Sequence, residues 1–456
     1  MTAPLHVIIL AAGQGSRMKS ALPKVLHRVA GKPMLHHVMD TARTLGAAGI
    51  HGVIGHGAEQ VKAITPAADV VWALQEQQLG TGHAVAQALP GVPDGAVVLV
   101  LYGDVPLINP ETLVALVSRI GDRSLGLLTV DLEDPQGYGR ILRDEQGQVT
   151  AIVEQKDATE SQKAIREVNT GILAVKSDHL KRWLPALSNS NAQGEYYLTD
   201  IIAMAADEGM TIEVAQPSHE KEVQGVNNRL QLSELERWYQ QCEARRLMTE
   251  GATLADPARV DVRGEVTIGQ DVLIDVNVVF EGRVTLGNNV SIGSNCVIRD
   301  AELGDNVVVQ ANSVIEGAVV AEQCQIGPFA RLRPGTRLAR TAKVGNFVET
   351  KKAEVGEGSK INHLSYVGDA TLGSNVNVGA GTITCNYDGV NKFQTVLGDN
   401  VFVGSNTALV APVTVEEDAV IGAGSTITSH VPAKELAVAR SRQRNIKGWK
   451  RPQKND

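Results

Sequence analysis

An apolar residue returns at every sixth position through most of the second half of this chain. The repeat starts at Ile268 and, with a few changes of phase, ends at Ile427. A helix has a period of 3.6 residues and a strand a period of two, so neither element explains it. A chain that turns a corner every six residues, pointing one apolar side chain inward each time, predicts a parallel β-helix of hexapeptide repeats. The repeated positions are Ile268, Ile274, Phe280, Leu286, Ile292, Ile298, Leu303, Val309, Ile315, Ile326, Leu332, Leu338, Val344, Leu397, Val403, Leu409, Val415, Ile421 and Ile427.

Glycine often follows the repeated apolar residue, as at Gly269, Gly287, Gly404 and Gly422. The chain contains 45 glycines and only 4% aromatic residues. Both values are typical of a solenoid in which glycine is expected at the corners and aliphatic side chains fill a narrow interior. Residues 1–228 lack the repeat, so the chain is expected to contain two different domains, as its 456 residues also indicate.

The segment that joins the two halves has the pattern of a helix. Leu232, Leu235, Tyr239 and Cys242 fall on one stripe, and Gly251 supplies a C-terminal stop. The predicted organisation is therefore a first domain over 1–228, a helical linker arm over 229–250 and a hexapeptide-repeat domain over 251–456. The last part, from 440 onward, holds seven Lys or Arg residues and one acidic residue, and is expected to be a solvated end.

Charge and cysteine usage exclude several functional classes. A net charge of −8 gives no reason to expect nucleic acid as a partner. The four cysteines are far apart and form no CxxC pair, so neither a disulfide framework nor a structural zinc site is indicated. No apolar run reaches eighteen residues, and the short stretch 5–12 lacks a basic segment before it. We therefore expect a cytoplasmic protein with no membrane partner.

The first half alternates buried strands with amphipathic segments. His6–Leu10, Val53–Ile54 and Ala96–Tyr102 are predicted as strands, and Pro33–Leu45 and Gly82–Ala88 as helices between them, with proline at the first helical position. This alternation predicts a mostly parallel, Rossmann-like α/β sheet with helices on both faces.

The first of these strands leads directly into a glycine-rich loop with two nearby cations. Gly13 and Gly15 let the backbone approach an anion, and Arg17 and Lys24 can offset much of the charge of a triphosphate. The loop is neither a P-loop nor a Rossmann fingerprint, because GxxxxGK[ST] is absent and Met18 occupies the third glycine position. A glycine-rich turn with surface cations is the alternative interpretation.

An aspartate follows the strand that ends at Tyr102. Ligands of open α/β sheets bind outside the carboxyl ends of the strands. Asp104, after Gly103, is therefore a candidate ligand for Mg²⁺, which prefers oxygen donors. A capping role in the turn before Pro106 is the alternative.

These motifs, taken with others, resemble those of sugar-nucleotide pyrophosphorylases. With the hexapeptide half attached, the chain from about residue 5 to 452 resembles the family of bacterial bifunctional N-acetylglucosamine-1-phosphate uridyltransferases and glucosamine-1-phosphate acetyltransferases. The motifs are Leu10–Met18 with Lys24, Gln75, Gln78–His83, Gly137–Arg140, Glu154, Asn169–Gly171, Glu195–Asp200 and Gly225–Asn228.

The resemblance implies roles for residues of the first domain. In the family, the glycine loop and the lysine matching Lys24 hold the nucleotide, and Asp104 and Asn227 match the Mg²⁺ ligands. Mg²⁺, Lys24 and Arg17 can then stabilise the charge that develops when the sugar phosphate attacks UTP. Gln14 stands where a lysine is common, which leaves the loop one charge short. Residues matching uracil contacts are Gln75, Gly80 and Thr81; those matching N-acetyl sugar contacts are Gly139, Glu154 and Asn169; the remaining nucleotide or sugar contacts are Leu10, Ala11, Ala12, Gly13, Tyr102 and Gly103.

The regular repeat of the second half is interrupted where polar residues cluster. Arg333 and Lys351 are one coil of three hexads apart and should stack on one face, and His363 and Tyr366 come from the next coil. A histidine in a repeat protein is usually a surface or core residue. Two stacked cations with a tyrosine and a histidine on adjacent coils instead favour a site.

By resemblance, His363 is the general base of acetyl transfer from acetyl-CoA. Arg333, Lys351, Tyr366 and Asn377 match sugar-phosphate contacts, and Lys392 is expected to add charge at the phosphate. Hexapeptide acyltransferases of this kind are left-handed, homotrimeric β-helices with acetyl sites between subunits. Residues matching acetyl-CoA contacts are Ala380, Asn386, Tyr387, Ser405, Ala423 and Arg440.

Three hypotheses follow from the sequence. The first is a bifunctional enzyme that acetylates glucosamine 1-phosphate and then uses UTP to form UDP-N-acetylglucosamine. The second is a single-activity sugar nucleotidyltransferase with a structural β-helix, and the third is a non-catalytic regulatory subunit. A regulatory subunit should lack Lys24 or Asp104, and a bare scaffold should lack His363 and its neighbours, but all are present. The sequence therefore favours the first.

Overall fold

The structure is a computed structural model that describes residues 3–452 and 454. The chain divides into two compact units between Tyr239 and Gln240, and each unit is described by itself. The division falls within a long helix, Arg229–Thr249, which covers the segment where the sequence predicts a helix. Leu235 is buried and Leu232 and Tyr239 are partly buried, as the stripe predicts, but Cys242 is exposed.

The first unit is built on a mostly parallel sheet with the strand order β11-β7-β10-β6-β1-β4-β5. Strand β10 runs antiparallel to β6 and β7, and β8 and β9 form an antiparallel extension beside it. The strands are β1 Leu5–Ala11, β2 Arg28–Val29, β3 Lys32–Pro33, β4 Gly49–Ile54, β5 Val70–Leu74, β6 Val97–Tyr102, β7 Ser124–Asp131, β8 Arg140–Arg143, β9 Val149–Val153, β10 Glu167–Lys176 and β11 Thr211–Ala215.

Helices pack between and around these strands, as the alternating pattern predicts. They are α1 Met34–Thr44, α2 Ala58–Ile64, α3 Thr81–Ala88, α4 Pro110–Val117, α5 Glu160–Lys163, α6 Ser177–Trp183, α7 Asp200–Asp207 and α8 Arg229–Thr249. The predicted strands at β1, β4 and β6 are confirmed, and their apolar side chains are buried on both faces of the sheet. Pro33 differs from the prediction, because its extended backbone places it just before α1 rather than at the first helical position.

The second unit is a parallel β-helix whose strands pair with those of the next coil. One sheet forms the first face. Its strands are β12 Ala252–Leu254, β14 Val272–Ile274, β16 Ser291–Ile292, β18 Val308–Val309, β21 Gln325–Ile326, β24 Lys343–Asn346, β26 Lys360–His363, β28 Asn377–Val378, β31 Phe402–Val403, β34 Val420–Ile421 and β36 Leu436–Ala437.

A second sheet covers the other two faces, because its longer strands bend around a corner. In β17, for example, Val297–Arg299 pair with β19 while Glu302 and Leu303 pair with β20. The strands are β13 Val260–Ile268, β15 Val278–Leu286, β17 Val297–Leu303, β19 Val314–Glu316, β20 Val319–Val320, β22 Arg331–Leu332, β23 Arg337–Leu338, β25 Glu349–Val355, β27 Tyr366–Leu372, β29 Ile383–Cys385, β30 Thr395–Leu397, β32 Ala408–Val410, β33 Val413–Val415 and β35 Thr426–Ile427.

The hexapeptide repeat is confirmed, since the repeated apolar residues fill the interior of this ring. Each is buried except Ile268 at the start, which is partly buried against the same core. A second inward position lies two residues earlier in each hexad and accepts smaller side chains, among them Cys296 and Cys324. Both thiols are free and buried, and burial raises their pKa, so they act as packing residues.

The residues at the corners and the glycines that follow the inward residues are needed for different physical reasons. Many corners place a residue in the left-handed region, and asparagine, which tolerates that region, occurs there repeatedly, as at Asn277, Asn295 and Asn312. Gly269 and Gly404 do not have a positive φ. A Cβ on Gly404 would instead stand 2.4 Å from the backbone nitrogen of Ala423 in the next coil. The expectation that corners require these glycines is therefore wrong: the close approach of successive coils requires them.

Two further observations concern the surface of the described chain. Among residues 3–452 and 454, no helix combines the length and the apolar character that crossing a membrane requires. From Arg440 to Pro452 the backbone forms neither helix nor strand and the side chains are exposed, as expected for the basic end. Residues 453, 455 and 456 of that segment lie outside the described residues.

Candidate active sites

The glycine-rich loop of the first unit follows β1 and closes over Lys24. Gly15 has a φ of 62° and begins a short 3-10 turn over Ser16–Met18. A Cβ on Gly15 would stand 2.6 Å from Cβ of Lys24, so both the backbone conformation and the close approach require glycine here. The loop thereby holds Lys24 at the carboxyl end of the strand, as the sequence predicts.

Lys24 lies at the centre of a charged cluster that combines three distant segments. Its Nζ donates to Oδ2 of Asp104 and, at 3.3 Å, to Oδ1 of Asn227. Arg17 donates to the same Asn227 oxygen at 3.0 Å. The backbone N–H of Val226 donates to the carbonyl of Asp104 at 2.9 Å, which fixes the segment carrying Asn227 beside the end of β6. The structure therefore brings together the four residues to which the resemblance assigns charge and metal roles.

The oxygen atoms of Asp104 and Asn227 suit a divalent cation. Both converge on the ammonium group of Lys24, so a positive charge already occupies the point between them. One carboxylate and one amide oxygen match the preference of Mg²⁺, which completes its shell with phosphate and water oxygens. In the described part of the chain, no group of three or more His, Cys, Asp or Glu residues could hold a metal. Any Mg²⁺ at this site therefore depends on ligands from a phosphate and water.

A cavity beside this cluster is lined by most of the predicted nucleotide contacts. Gln75 is buried at its side, and its Nε2 donates to the carbonyl of Gly80 at 3.1 Å. The hydroxyl of Thr81 accepts from the N–H of Leu198 at 3.1 Å, which fixes the start of α3. Lining residues are Leu10, Ala11, Ala12, Gly13, Lys24, Val25, Gln75, Gln78, Gly80, Thr81, Ala84, Tyr102, Asp104 and Glu195.

Several of these lining residues are not among the contacts predicted from the sequence. Val25, Gln78, Ala84 and Glu195 are the additions, although the last three lie within or beside the quoted motifs. Gly103 does not line the cavity; its N–H donates to the carbonyl of Leu10 at 2.9 Å, which joins β6 to β1. It therefore supports the site through the backbone.

The predicted sugar contacts lie beside Tyr102 rather than in the cavity lining. Burial raises the pKa of the Tyr102 phenol, and the neighbouring Glu154 and Asp104 carboxylates raise it further. Burial also raises the pKa of Glu154, although Thr199 Oγ1 donates to its carboxyl at 3.1 Å. A partly buried carboxyl that accepts hydrogen bonds from hydroxyl groups, as this one does from Thr199, suits a neutral, hydroxyl-rich ligand.

The positions of Gly139 and Asn169 around Glu154 are set by the backbone. The Asn169 N–H donates to the Gly139 carbonyl at 2.8 Å, and a Cβ on Gly139 would stand 3.3 Å from Glu154 Oε1. The three predicted sugar contacts are therefore close together. Gly171, next to them, has a φ of 84° and leaves room for the Tyr102 ring.

The cations of the second unit gather on one face of the β-helix. Arg333 donates to Glu349 Oε1 at 2.8 Å. The exposed Lys351 ammonium faces Lys392, and the pKa of Lys351 is lowered first by Lys392 and further by Arg333. Cations that repel one another in the free protein have a natural ligand in an anion such as a phosphate monoester. Lys392 therefore joins the predicted stack although it comes from an inserted loop.

His363 ends β26, and the next strand, β27, pairs with the strand that carries Lys351. Its Nδ1 lies 2.5 Å from Oδ1 of Asn346, its register partner on the preceding coil. The imidazole is exposed, and Tyr366 begins the following strand. Asn346 was not singled out from the sequence. Its spacing of one coil from His363 was the signal that could have found it.

Three of the predicted acetyl-CoA contacts continue the column that contains His363. β26 pairs with β28, β28 with β31 and β31 with β34, so Ala380, Ser405 and Ala423 follow one another at the ends of successive strands. A backbone hydrogen bond supports this order, since the carbonyl of Ala380 accepts from the N–H of Asn406 at 2.7 Å. Arg440 donates to the Ala423 carbonyl at 2.6 Å and extends the column.

The remaining predicted contacts lie on the strands and loop around this column. Asn377 begins β28, opposite Lys360 in β26. Asn386 donates to Asp369 Oδ2 at 2.5 Å and is buried at the base of the inserted loop. Tyr387 is exposed on the loop and pairs with Lys392 through a backbone bridge. Both loop residues are therefore held near the second unit's cations.

Bulky apolar side chains occupy one corner of the β-helix near His363. Phe329, Phe347 and Leu364 have φ values of 51° to 56°, in the left-handed region that bulky residues rarely adopt. Phe347 and Leu364 are 55% and 62% exposed, and the two phenylalanine rings stack with centroids 5.2 Å apart. Asn312 occupies the same corner one coil before Phe329. These apolar side chains are exposed, and their backbone conformation is energetically unfavourable. Together the two features indicate an interaction surface.

Comparisons with known families agree with this division of sites. Residues 7–163 match the family of MobA-like NTP transferase domains, residues 262–355 the GMPPB C-terminal domain, and residues 394–429 the bacterial transferase hexapeptide with six repeats. Together with the ring of parallel strands, these matches confirm the predicted fold class. It is an α/β nucleotidyltransferase domain followed by a left-handed parallel β-helix of hexapeptide repeats.

Curated proteins from several bacteria are similar to this chain over nearly its whole length. The bifunctional protein GlmU of Marinobacter nauticus is 73% identical over 451 residues, which cover 99% of each chain. Proteins of the same name from Pseudomonas putida and Cellvibrio japonicus are 62% and 60% identical. These matches cover 99% and 98% of this chain and 99% of each relative.

Proposed function

The chain belongs to the family of the bifunctional protein GlmU and is both a uridyltransferase and an acetyltransferase, and on that premise we propose which residues carry out each reaction. The second unit acetylates glucosamine 1-phosphate with acetyl-CoA. The first transfers UMP from UTP to the resulting N-acetylglucosamine 1-phosphate and releases pyrophosphate. The bifunctional hypothesis is thus confirmed over the single-activity enzyme and the regulatory subunit.

The observation that carries the proposal is that each unit has its own cluster of cations, each with one carboxylate partner. In the first, Lys24 and Arg17 lie at a cavity beneath a glycine-rich loop. In the second, Arg333 and Lys392 both act on Lys351, whose strand β25 pairs with β27, the strand that follows His363 in the chain. Each reaction uses a phosphorylated sugar, and the two sites fall within the proposed domains 1–228 and 251–456.

Uridylyl transfer is supported by positioning and charge neutralisation. The sugar phosphate oxygen attacks the α-phosphorus of UTP, the bond to the bridging oxygen breaks, and pyrophosphate leaves with that electron pair. The loop 10–15 and Lys24 bind the triphosphate, Gln75 and Thr81 orient the base, and Glu154 and Asn169 hold the sugar. Arg17 and Lys24 stabilise charge on the leaving group. A phosphate monoester is already ionised, so no general base is needed.

Asp104 and Asn227 would hold Mg²⁺ in this site. A bound Mg²⁺ would supply positive charge that offsets the negative charge of the phosphates. Lys24 must then release Asp104 and turn its ammonium toward a phosphate. UTP and Mg²⁺ are therefore a co-substrate and a cofactor of the first unit.

Acetyl transfer is supported by the arrangement around His363. The imidazole takes a proton from the amine of glucosamine 1-phosphate, and the amine nitrogen attacks the thioester carbonyl of acetyl-CoA. The C–S bond then breaks and CoA leaves as a thiolate. Arg333, Lys351 and Lys392 bind the phosphate, Tyr366 and Asn377 bind the sugar, and the column Ala380, Ser405, Ala423 and Arg440 with Asn386 and Tyr387 binds acetyl-CoA.

Two product assays on one preparation test this division. Free thiol should appear when acetyl-CoA and glucosamine 1-phosphate are supplied, without UTP or Mg²⁺. Pyrophosphate should appear from UTP and N-acetylglucosamine 1-phosphate only when Mg²⁺ is present. Thiol release that requires UTP would contradict two independent sites, and pyrophosphate formation that survives complete chelation of metal would contradict the role of Mg²⁺.

We also infer a homotrimer of cytoplasmic location, with acetyl sites between subunits. The apolar corner of Phe329, Phe347 and Leu364 supports association, because a second copy would cover it. Light scattering should give about three times 48.5 kDa. Replacing both phenylalanines by asparagine, which this corner carries at Asn312, should shift the mass toward the monomer without unfolding it.

A matched control for this prediction is Leu273→Asn, which removes an exposed apolar residue on a distant coil. It should leave the mass unchanged. A monomeric wild type with full acetyltransferase activity would contradict the shared site, and an unchanged trimer in the double variant would contradict the role of the corner.

A further inference from the structure

The partner of His363 in the free protein is an amide. Nδ1 of His363 lies 2.5 Å from Oδ1 of Asn346, and the two residues are register partners on consecutive coils. The nearby carboxylate of Glu349 accepts instead from Arg333, at 2.8 Å. Within residues 3–452, His363 forms no ion pair with a carboxylate. Its orientation is therefore set by a neutral group.

This contact determines which ring nitrogen can act as a base. An amide oxygen only accepts hydrogen bonds, so the neighbouring Nδ1 must carry the proton, and Nε2 keeps its lone pair. If the amide were reversed, its NH₂ would donate to Nδ1 and the proton would reside on Nε2. The imidazole could then not accept a proton through Nε2.

A neutral partner also has a chemical advantage over a carboxylate. A carboxylate beside an imidazole favours its charged form, which already holds the proton that a base must accept. An amide fixes the tautomer without adding a charge. The pair is thus suited to a base that must be neutral before the reaction and cationic after it.

We propose that Asn346 is a positioning residue of acetyl transfer, holding the proton on Nδ1 of His363 so that Nε2 accepts the proton of the substrate amine. This inference rests on the proposed function, in which His363 is the general base. In this role Asn346 acts through its contact with the imidazole and not on the reacting atoms. Its contribution is the tautomer and orientation of the ring.

Two substitutions of Asn346 in the full-length protein test this inference. Asn346→Leu removes the acceptor and should lower kcat of acetyl transfer about tenfold or more, by analogy with the partners that orient metal-binding histidines. KM for both substrates should change less than about twofold, since neither is touched. Asn346→Asp keeps an acceptor of the same shape. It should retain kcat within about threefold at high pH and move the acidic limb of the pH–rate profile upward by about half a unit or more.

The controls separate this inference from the function on which it rests. Asn288→Leu removes an amide that hydrogen-bonds Asp305 between two other coils and should not change acetylation. Uridylyl transfer reports whether each variant is folded. If His363→Ala also acetylates normally, the proposed base is wrong. If His363→Ala is inactive but Asn346→Leu keeps full kcat, or Asn346→Asp is inactive at every pH, the positioning role of Asn346 is overturned.

Discussion

Replacing His363 by alanine is expected to lower acetyl transfer at least about a hundredfold, the usual effect of losing a general base. The reason is that the amine of the substrate must lose a proton as it attacks, and His363 stands at the start of the column proposed to bind acetyl-CoA. The measurement is the rate of free-thiol release at saturating acetyl-CoA and glucosamine 1-phosphate. The mutant must be compared with wild type across pH, because the substrate amine also titrates near neutrality.

The uridylyl transfer activity of the same variant serves as the control. Uridylyl transfer from supplied N-acetylglucosamine 1-phosphate should be unchanged, because the residues proposed for that reaction lie in the other unit. A variant that keeps its oligomeric state and acetylates within about threefold of wild type would show that the histidine only packs against Asn346.

Replacing Asp104 by asparagine is expected to reduce uridylyl transfer below about one hundredth of its wild-type rate. The substitution removes the single carboxylate of the proposed Mg²⁺ site and the partner of Lys24. The measurement is pyrophosphate release from UTP and N-acetylglucosamine 1-phosphate at saturating Mg²⁺. Acetylation should be intact, because neither this carboxylate nor Mg²⁺ takes part in the second reaction.

Asp94→Asn offers a matched comparison, since this carboxylate also pairs with a lysine, Lys181, but on an exposed surface of the same unit. It should affect neither activity. Equal loss of both activities in a folded Asp104→Asn protein would contradict independent sites, and normal pyrophosphate release would remove Asp104 from the reaction.

The parts of the fold that sequence predicts best are those with a strong period. The interior of the β-helix could be predicted residue by residue, because a side chain such as Phe280 or Ile326 must point inward whenever the corner recurs after six positions. Strands β1 and β6 could be predicted because apolar residues cover both faces of each. Pro33 could not, since its φ suits both the residue before a helix and the first helical residue.

The residues of the candidate sites could be predicted from the family resemblance more than from the six-residue repeat. The meeting of Lys24 with Asp104 and Asn227 joins segments 80 and 203 residues apart, and no local pattern encodes that contact. In the second unit the inserted loop lengthens one coil, so Ser374 is bonded to Asp399, 25 residues away rather than 17 or 18. The six-residue repeat therefore cannot be counted through Lys392. Asn346 could not be singled out from the sequence, because asparagine is common throughout this β-helix.

The glycines that follow the inward-pointing apolar residues limit which substitutions the β-helix can accept during evolution. Gly304 and Gly404 each face backbone atoms of the next coil, so a methyl group could be accepted only if two coils moved apart together. Gly422 is different, because its Cβ would first meet the side chain of Val438 at 2.9 Å. A side chain can adopt another rotamer to make room, whereas the backbone of a paired coil cannot move by itself. Sequence variation at these positions should therefore be tolerated first in the last coils, and a new coil could be added there without altering any glycine in the older part of the solenoid.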